Sequence, residues 1–398
     1  MPTRPQWRAV GLTLPLVAFI GVTFLAPLAV MLSRSVYDPV VADALPETLE
    51  RLEAWDRAGV PDEATFAAAA RELRQVREAR TIGRVAGRVN RVASGLRSVL
   101  VRTARALPDG EGPPAGGWRA AFAAVDPAWA DPATWRAVAT AGDRFTMRHY
   151  LNALDLDRGS DGAIVRQPPE RRIYLPLLWR TLLVSLGITL LCLLLGYPIA
   201  HLMAHAPPRR ANLLLALVLV PFWTSLLVRT TAWIVLLQQQ GVINDLLVAV
   251  GVVPDSERLA MIYNMTGTAV AMTHVLLPFM VLPLYSIMRA IPPQQMSAAV
   301  SLGAGPWQAF RRVYWPQTLP GVGAGSLLVF ILAIGYYITP ALVGGQSGQL
   351  ISNLIAYHMQ TSLNWGLAGA LGGVLLACII ALYVVYDRLI GIDRMRFG

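Results

Sequence analysis

Apolar residues are concentrated in six long runs, whereas polar residues are concentrated in one long segment between the first run and the second. A helix needs about 20 apolar residues to cross the hydrocarbon core of a bilayer. Each run reaches that length, so the pattern predicts six membrane-spanning helices. The predicted spans cover residues 10–32, 173–203, 212–237, 266–288, 320–343 and 366–386.

The first apolar run follows Arg4 and Arg8, as the apolar part of a secretory signal does. Two features argue against a cleaved signal. The run is longer than such a segment, and no small-x-small cleavage pattern follows it before Arg34. We therefore predict that residues 1–34 form a retained N-terminal anchor that contains the first span.

Residues 35–170 form a polar segment with 18 Arg and 19 acidic residues, which is too long to be a simple connection. The absence of proline over residues 64–105 predicts a helix there, and the Pro- and Gly-rich stretch 108–117 would end it. Arginines within this helix recur at intervals of three and four residues, so they would line one face. This stripe is either a solvated face or a docking surface for a partner or for acidic lipid headgroups, and it comprises Arg77, Arg80, Arg84, Arg88 and Arg91.

The distribution of charge predicts an orientation. The chain has 15% charged residues, compared with about 25% in an average soluble domain, and 16 Arg face only 5 acidic residues outside 35–170. Loops rich in Arg lie on the cytoplasmic side of a membrane. With six spans, all Arg-rich segments fall on one side, so both termini are predicted to be cytoplasmic and residues 35–170 extracytoplasmic. The arginines concerned are Arg4, Arg8, Arg209, Arg210, Arg289, Arg311, Arg312, Arg388, Arg394 and Arg396.

The stretch 292–321 has the most informative local pattern in the chain. Pro293 can open a helix, because a proline in the first turn loses no hydrogen bond, and Gly303 can close it in the left-handed conformation. A second helix would restart at Gly305-Pro306 and end at Pro316. We predict two short helices at an angle on the inner membrane surface. Trp307, Phe310 and Val313 would share one face of the second helix, and Ala298 and Ala299 would leave room for another protein.

This stretch resembles the coupling loop of the permease subunits of binding-protein-dependent ABC importers, whose signature is Glu-Ala-Ala-x3-Gly-x9-Ile-x-Leu-Pro. The spacing is kept throughout, although Ser297 replaces the acid and Val313 and Trp315 replace the two aliphatic residues. The resemblance implies that the loop 292–316 docks the ATP-binding subunits. The coupling residues that it implies are Ser297, Ala298, Ala299, Gly303, Pro306, Phe310, Val313 and Pro316.

The resemblance extends over roughly residues 174–390 and is greatest to spermidine/putrescine-type permeases, in the segments 196–198, 221–229, 277–285 and 339–345. Many such permeases read Gly-Asp-Phe-Val-Thr-Pro where this chain has Gly335-Tyr336-Tyr337-Ile338-Thr339-Pro340. An acid suited to a cationic substrate is therefore missing. The resemblance implies a translocation pathway for a small solute, either polyamine-like or another small organic amine or amino-acid-like compound.

The implied architecture is an all-α integral membrane protein with the six transmembrane helices of the type I ABC importer permease fold. A mostly helical extracytoplasmic insertion would separate helices 1 and 2. The expected domains are an anchor (1–34), the insertion (35–170) and a five-helix permease core (171–398) in the cell inner membrane. The resemblance implies a pair of cytoplasmic ATP-binding subunits, a second homologous permease subunit and an extracytoplasmic substrate-binding protein as partners, beside membrane lipid and without nucleic acid.

The sequence argues that this chain is a transport subunit and not an enzyme. It contains no Lys, so the Gly-x4-Gly-Lys-Ser/Thr phosphate loop of an ATPase cannot occur in it. A secondary transporter driven by an ion gradient is a second hypothesis, but it usually needs ionisable residues near the membrane centre, and no acid lies near the middle of any predicted span. A membrane enzyme is a third, and the apolar part has no hydrolase or zinc motif. We expect no cofactor and no metal.

Several single residues within the apolar part could have functional roles. Arg229 is either a gate or pathway residue or an arginine that extends to the outer interface. Tyr336 and Tyr337 are either interfacial anchors or pathway aromatics, and Thr339 is a further pathway candidate. The remaining candidates are histidines: His274 is expected to be a core residue bonded to a neighbouring helix, and a metal site at His201 and His205 is disfavoured because no acid or Cys lies nearby.

Overall fold

The computed structural model describes residues 13–108, 112, 114–158 and 163–390. Arg4, Arg8, Arg394 and Arg396 and the first three residues of the predicted span 10–32 lie outside the described residues, as do parts of the stretch 108–117. The first helices are α1 Thr13–Ser33, α2 Val40–Ala44, α3 Pro46–Glu53, α4 Glu63–Glu78, α5 Ile82–Val92, α6 Leu96–Ala106, α7 Gly117–Val125, α8 Pro132–Gly142 and α9 Arg148–Ala153.

A short antiparallel hairpin follows, in which Leu156 pairs with Arg166. The elements from there are β1 Leu156–Arg158, β2 Ile164–Arg166, α10 Tyr174–His205, α11 Pro208–Leu219, α12 Leu226–Leu237, α13 Val242–Ala249, α14 Met265–Ala290, α15 Pro293–Ser301, α16 Pro306–Gly335, α17 Ile338–Val343, α18 Ile351–Gln360 and α19 Trp365–Ile390.

Six helical stretches among the described residues are long and apolar enough to cross a membrane, which confirms the predicted number of spans. The bounds of two spans differ from the prediction. The third span covers Leu226–Ala249, which includes α12 and α13, and not 212–237. The predicted span 212–237 is broken at Val220–Trp223, because Pro221 has no N–H to donate and Ser225 caps a new helix by accepting a bond from the Val228 N–H at 3.2 Å. The predicted span 320–343 instead begins at Pro306 and ends at Gly335.

The chain divides into two compact units, Met1–His149 and Tyr150–Gly398. The core of the first unit is built around four large aromatic side chains, Phe66, Phe122, Trp129 and Trp135. The ring centroids of Phe66 and Trp135 lie 4.7 Å apart, and those of Trp129 and Trp135 lie 5.0 Å apart. The helices around this cluster are amphipathic, as in a domain that folds in water.

The predicted helix over residues 64–105 is wrong, because the segment forms the three helices α4, α5 and α6. The chain reverses at Arg80, with φ +56°, and at Gly95, with φ +95°. These turns let α5 fold back along α6 and bury Val85, Val89 and Leu100. The positions of these two turns therefore depend on which side chains are buried in the folded domain, and no proline marks them in the sequence.

The predicted arginine stripe is also wrong, because its members lie on different elements. Arg77 lies on α4 and donates to the carbonyl oxygen of Ala104 at 3.1 Å. Arg80 occupies the turn, whereas Arg88 lies on α5 and pairs with Asp38 at 3.1 Å. The stripe includes Arg84 and Arg91, which share α5 with Arg88, but the five arginines do not form one helical face.

The second unit is a bundle in which α10, α14 and α16 pack against one another. Its centre is filled by flexible and small side chains such as Met272, Met280 and Ala333, all fully buried. Glycines allow close approach of the helix backbones: a Cβ built on Gly321 of α16 would lie 3.2 Å from the Cα of Leu284. Small residues at helix contacts are typical of membrane bundles.

Candidate functional site

The loop 292–316 begins with the helix α15, which ends as predicted at a left-handed glycine. Gly303 has φ +89°, its N–H donates to the Val300 carbonyl at 2.9 Å, and the Ala304 N–H donates to the Ala299 carbonyl at 3.1 Å. These two bonds form a Schellman motif. The predicted role of Gly303 as the helix cap is therefore confirmed.

The three residues that match the start of the signature lie near the middle of α15. Ser297 and Ala298 are exposed, and Ala299 is half-buried. The Ser297 hydroxyl donates back to the Pro293 carbonyl at 3.3 Å, so this side chain is used within its own helix. Because these side chains are small, another protein surface can approach the backbone of α15 closely at this face.

The prediction that the second helix of the loop ends at Pro316 is wrong. The helix that starts at Pro306 continues through Pro316 to Gly335. A π-helical turn at Phe310–Tyr314 precedes the proline, and the Trp315 N–H there donates to the Phe310 carbonyl, five residues back. Because this turn is wider than an α-helical turn, the ladder of hydrogen bonds has already shifted where Pro316 lacks a donor.

A row of stacked aromatic side chains runs from the surface of the loop to α10. The rings of Trp307 and Phe310 lie 5.7 Å apart, those of Phe310 and Tyr314 lie 5.7 Å apart, and Tyr314 meets His201 edge-on at 5.2 Å. Tyr314 is buried, whereas Val313 is half-buried. The sequence interpretation missed Tyr314, although its spacing from Trp307 and Phe310 places it on their side of the helix.

His201 and His205 lie within this aromatic row. Their rings are 4.3 Å apart, and His205 Nδ1 lies 2.9 Å from the His201 carbonyl oxygen. Both rings contact Tyr314. Within the described ranges, no group of three or more potential metal ligands occurs.

The exposed apolar side chains of the loop surround the Gly303 turn. Leu302 is 89% exposed and Trp307 is 72% exposed, and Val300 is exposed as well. Pro306 starts the second helix beside them, as a proline in the first turn can. The loop therefore presents a small, exposed apolar surface formed by Val300, Leu302 and Trp307, and the Schellman motif fixes the backbone of the turn between them.

A second candidate site lies where the third span is broken. A cavity of about 270 Å³ is lined there by mostly apolar side chains together with Arg229, Thr224 and His274. Arg229 donates to the carbonyl oxygen of Thr224 at 2.9 Å and to that of Pro221, two acceptors that the break leaves without helical partners. The Arg229 guanidinium thus lines the cavity and supplies hydrogen bonds to the carbonyl oxygens that the helix break leaves unpaired.

His274 accepts a hydrogen bond from the indole N–H of Trp233, a residue of the neighbouring helix α12, at 3.1 Å. The prediction of a core histidine bonded to a neighbouring helix is confirmed. This contact joins α12 to α14 on the wall of the same cavity.

Tyr336 and Tyr337 form the connection between α16 and α17. The carbonyl oxygens of the two tyrosines accept bonds from Ser352 at 2.7 Å and from Asn353 at 2.8 Å. Thr339 is fully buried on α17, which contacts α12. The structure therefore places Thr339 on a helix that adjoins α12, the helix that carries Arg229.

Comparison with known proteins identifies the second unit. Residues 193–392 match the model of the family "Binding-protein-dependent transport system inner membrane component", a range that includes both the loop and the cavity. This chain belongs to that family. It is a multi-pass permease subunit of an ATP-binding-cassette importer, with the type I permease fold, and the ATPase of such a system is a separate subunit.

Three similar relatives are bacterial permeases. The spermidine/putrescine transport system permease PotB of Haemophilus influenzae is 36% identical over 221 residues, which is 55% of this chain and 77% of PotB. PotB of Escherichia coli is 35% identical over 216 residues, 54% of this chain and 78% of its own. The E. coli inner membrane ABC transporter permease YdcU is 31% identical over 223 residues, covering 53% and 70%.

Among solved structures, a bacterial ABC transporter involved in the import of the acidic polysaccharide alginate matches 56% of this chain and 80% of its own chain. Its TM-score is 0.45 and its sequence identity is 15%.

Proposed function

We propose that this permease forms the pathway for a small organic amine or amino-acid-like solute, of which polyamines are one class. An extracytoplasmic binding protein delivers the solute, and a pair of ATP-binding subunits supplies the energy. A second, homologous permease subunit completes the pathway. The observation that carries the substrate class is the similarity to PotB over more than half of this chain. Tyr336 stands where many such permeases carry an acid, which favours a substrate with fewer positive charges than a polyamine.

The loop 292–316 is proposed as the docking surface for an ATP-binding subunit. The support is its rigid, apolar and exposed shape: Leu302 and Trp307 project beside the left-handed Gly303. Exposed apolar side chains of this size on a fixed turn are typical of the anchor residues of protein interfaces. Movement of the docked subunit would reach α10 through the stacked row of Trp307, Phe310, Tyr314 and His201.

The docking proposal is tested by substrate-stimulated ATP hydrolysis of the reconstituted complex. Gly303→Pro removes the φ of +89° and the bond to Val300, and Ala299→Arg places bulk and charge in the docking face. Both variants should insert normally and lose stimulation. Gln240→Arg, an equal change of charge at an exposed position after α12 and outside the loop, is the matched control. Normal stimulation in both loop variants would refute the assignment.

The second proposal concerns the translocation pathway. Arg229, Tyr336, Tyr337 and Thr339 are proposed as its gate. The support is that Arg229 lines the cavity at the break before α12, and that α17, which follows the two tyrosines, packs against α12. Arg229→Gln should reduce uptake while leaving membrane insertion intact, and Arg229→Lys should not restore it, because an ammonium cannot reach both carbonyl groups. Uptake at the normal rate in Arg229→Gln would leave the arginine with a structural role only.

Orientation and domain boundaries complete the proposal. We propose that both termini and the loop 292–316 lie in the cytoplasm, an orientation that the Arg-rich segments support. The proposed domains are an anchor at 1–34, an extracytoplasmic insertion at 35–170 and the permease core at 171–398. The insertion is proposed to dock the binding protein or to brace the companion permease. In a Cys192→Ser, Cys378→Ser background, a cysteine at the exposed position 349 should react from outside, and one at the exposed position 308 only after permeabilisation. Labelling of 308 in intact cells would reverse the orientation.

A further inference from the structure

The end of the first span is joined directly to the aqueous part of the first unit. Helix α1 ends at Ser33, and the next residue, Arg34, is the first charged one after the apolar run. The chain then turns sharply, and the Tyr37 N–H donates to the Ser33 carbonyl at 2.8 Å. Because α1 is apolar along its length, the polar boundary of the bilayer must lie close to this turn.

A second segment of the unit is fixed beside the same turn. The Asp38 N–H donates to the Arg144 carbonyl at 2.9 Å, and the Thr146 N–H donates to the Val36 carbonyl at 2.8 Å. Tyr37 and Phe145 therefore lie opposite each other in a short antiparallel bridge, with ring centroids 5.3 Å apart. Phe145 is separated from the span by more than 100 residues of sequence, yet the bridge holds it at the end of the span.

Three side chains at this bridge are exposed: Phe145 by 77%, Met147 by 58% and Tyr37 by 39%. Phe145 and Met147 are two residues apart in an extended segment, so they point to the same side. Among the described residues of 34–149, these three are the only large apolar side chains that are exposed. The described part of this domain buries or half-buries its other large apolar groups and leaves this patch uncovered next to the end of the span.

We infer that Tyr37, Phe145 and Met147, the juxtamembrane patch, insert into the headgroup region of the leaflet at the C-terminal end of α1. Amphipathic rings such as Tyr37 are favoured at this depth, and Phe145 and Met147 would bury apolar surface in the acyl boundary. The bridge and the bond to Ser33 hold the patch at one depth relative to the span. The patch therefore holds the helical domain against the membrane surface in addition to its covalent connection to α1.

The occupant is assigned to lipid because the patch is continuous with a membrane span. The turn at Ser33 contains no free linker that would lift the patch away, since every residue from 34 to 38 has its N–H bonded within the turn or the bridge. A binding protein or a companion subunit would have to reach this position through the headgroup layer. Those occupants remain as outcomes of the test.

The test uses the full chain in lipid nanodiscs, with Cys192→Ser and Cys378→Ser and a single cysteine at Phe145 labelled with an environment-sensitive fluorophore. Lipids carrying a nitroxide at the headgroup or deep in the acyl chain report the depth. We expect a blue-shifted emission and several-fold stronger quenching by the headgroup nitroxide than for the control Ala58→Cys, an exposed position in the loop after α3. Iodide, a quencher in the aqueous phase, should quench the label at position 58 more strongly than the label at position 145.

A label at Phe145 that is quenched by iodide as strongly as the control, and not by lipid, would overturn the inference. Protection that appears only after addition of the binding protein or the companion permease would assign the patch to a protein and overturn it as well. Met147→Cys gives an independent reporter should the first variant misfold, and the near-ultraviolet circular dichroism of the tryptophan cluster checks folding. Phe145→Ser combined with Met147→Ser should abolish the protection of a label at Tyr37→Cys.

Discussion

The two units of this chain satisfy buried polar groups in different ways. In the first unit, carboxylates cap helices that are distant in sequence: Glu72 accepts bonds from the N–H groups of Glu47 at 2.6 Å and Thr48 at 3.1 Å, at the start of α3. In the second unit, neutral groups form the bonds between helices, such as the Tyr197 and Thr318 hydroxyls at 3.2 Å. A charge is costly in lipid and cheap beside water, so each unit uses the groups that its solvent permits.

The cores differ in the same way. The first unit buries large aromatic rings that gain from removal from water. The second unit exposes many of its large apolar side chains, and where its helices meet it buries glycine, alanine and methionine beside leucine and isoleucine. In lipid, apolar side chains gain little from burial, so close backbone packing replaces the hydrophobic effect as the source of stability. Four predictions use this difference, from the largest expected effect to the smallest.

Truncation of a buried ring should have the largest effect, and only in the first unit. Trp135→Ala should lower the free energy of unfolding of that unit by about 3–5 kcal/mol, because the indole is fully buried and donates to the Trp129 carbonyl. Hydrogen exchange of the α4 and α8 amides, measured by mass spectrometry on the full chain, should rise accordingly. Trp179→Ala, at an exposed position of α10, is the control and should change neither unit. Unchanged protection in Trp135→Ala would contradict the aromatic-core account.

Acidification should weaken the first unit through His149, the sole histidine in residues 1–149. Burial lowers the pKa of His149 from 6.5 to about 4, in spite of the opposing effect of Asp38. The unfolded chain therefore binds a proton between pH 6.5 and 4 that the folded unit does not bind. Stability is fully present above pH 6.5 and falls by on the order of 2–3 kcal/mol towards pH 4.

Thermal unfolding of the first unit at pH 7, 6 and 5 measures this effect. His149→Asn removes the titrating group and should flatten the dependence over this range, whatever its own cost to stability at pH 7. A slope that persists in His149→Asn would assign the effect to other groups. The second unit supplies the internal reference, because its melting is followed in the same samples.

Enlargement of a small residue should harm the second unit. Gly321→Leu would place its side chain against the Leu284 Cα and the Pro283 carbonyl, both at 3.2 Å from the new Cβ, and backbone atoms cannot move aside. We expect a loss of about 1–3 kcal/mol in the stability of the detergent-solubilised bundle. Gly187→Leu in α10, where a new Cβ meets nothing within 4 Å, is the matched control. Equal stability of the two variants would show that α14 and α16 do not rely on close approach.

The smallest effect concerns a carboxylate in the second unit that caps a helix as carboxylates do in the first unit. Asp155 accepts bonds from the N–H groups of Tyr174 at 3.1 Å and Leu175 at 2.8 Å, at the start of α10. Asp155→Asn keeps one acceptor and the left-handed backbone but loses the charge, so we expect a loss of about 1 kcal/mol. Asp157→Asn, on the strand β1, should be neutral in the same thermal-unfolding assay, because its carboxylate accepts from the N–H of the adjacent Arg158 and caps no helix. A larger loss of stability in Asp157→Asn than in Asp155→Asn would contradict the role of Asp155 as the helix cap.

The sequence predicted the structure correctly where a feature depends on a single segment in a single environment. Membrane spans, the Gly303 cap and the His274 contact follow from local pattern, because length, apolarity and φ preference are properties of the segment itself. The first unit was different. Its arginines looked like a stripe only if residues 64–105 formed one helix, and the reversals at Arg80 and Gly95 depend on which side chains meet in three dimensions.

The candidate sites show the same limit. Proline positions alone placed the end of the loop helix at Pro316, because the π-helical turn that accommodates it has no sequence signature that the interpretation used. Likewise, Arg229 was recognised as an unusual charge, but its acceptors became apparent only once the break at Val220–Trp223 was located. Side-chain partners across a break cannot be read from spacing.

The π-helical turn at Phe310–Tyr314 also governs how the length of this helix can change. An α-helix rotates by about 100° per residue, so a deletion at Ser326 would turn the two halves of α16 relative to each other by that angle. The wide turn holds one residue in excess of a regular turn. Deletion of one residue there would restore a regular helix and leave both flanks facing their present neighbours. Residues 310–314 are therefore the place at which this helix can lose a residue while Trp307 keeps its direction.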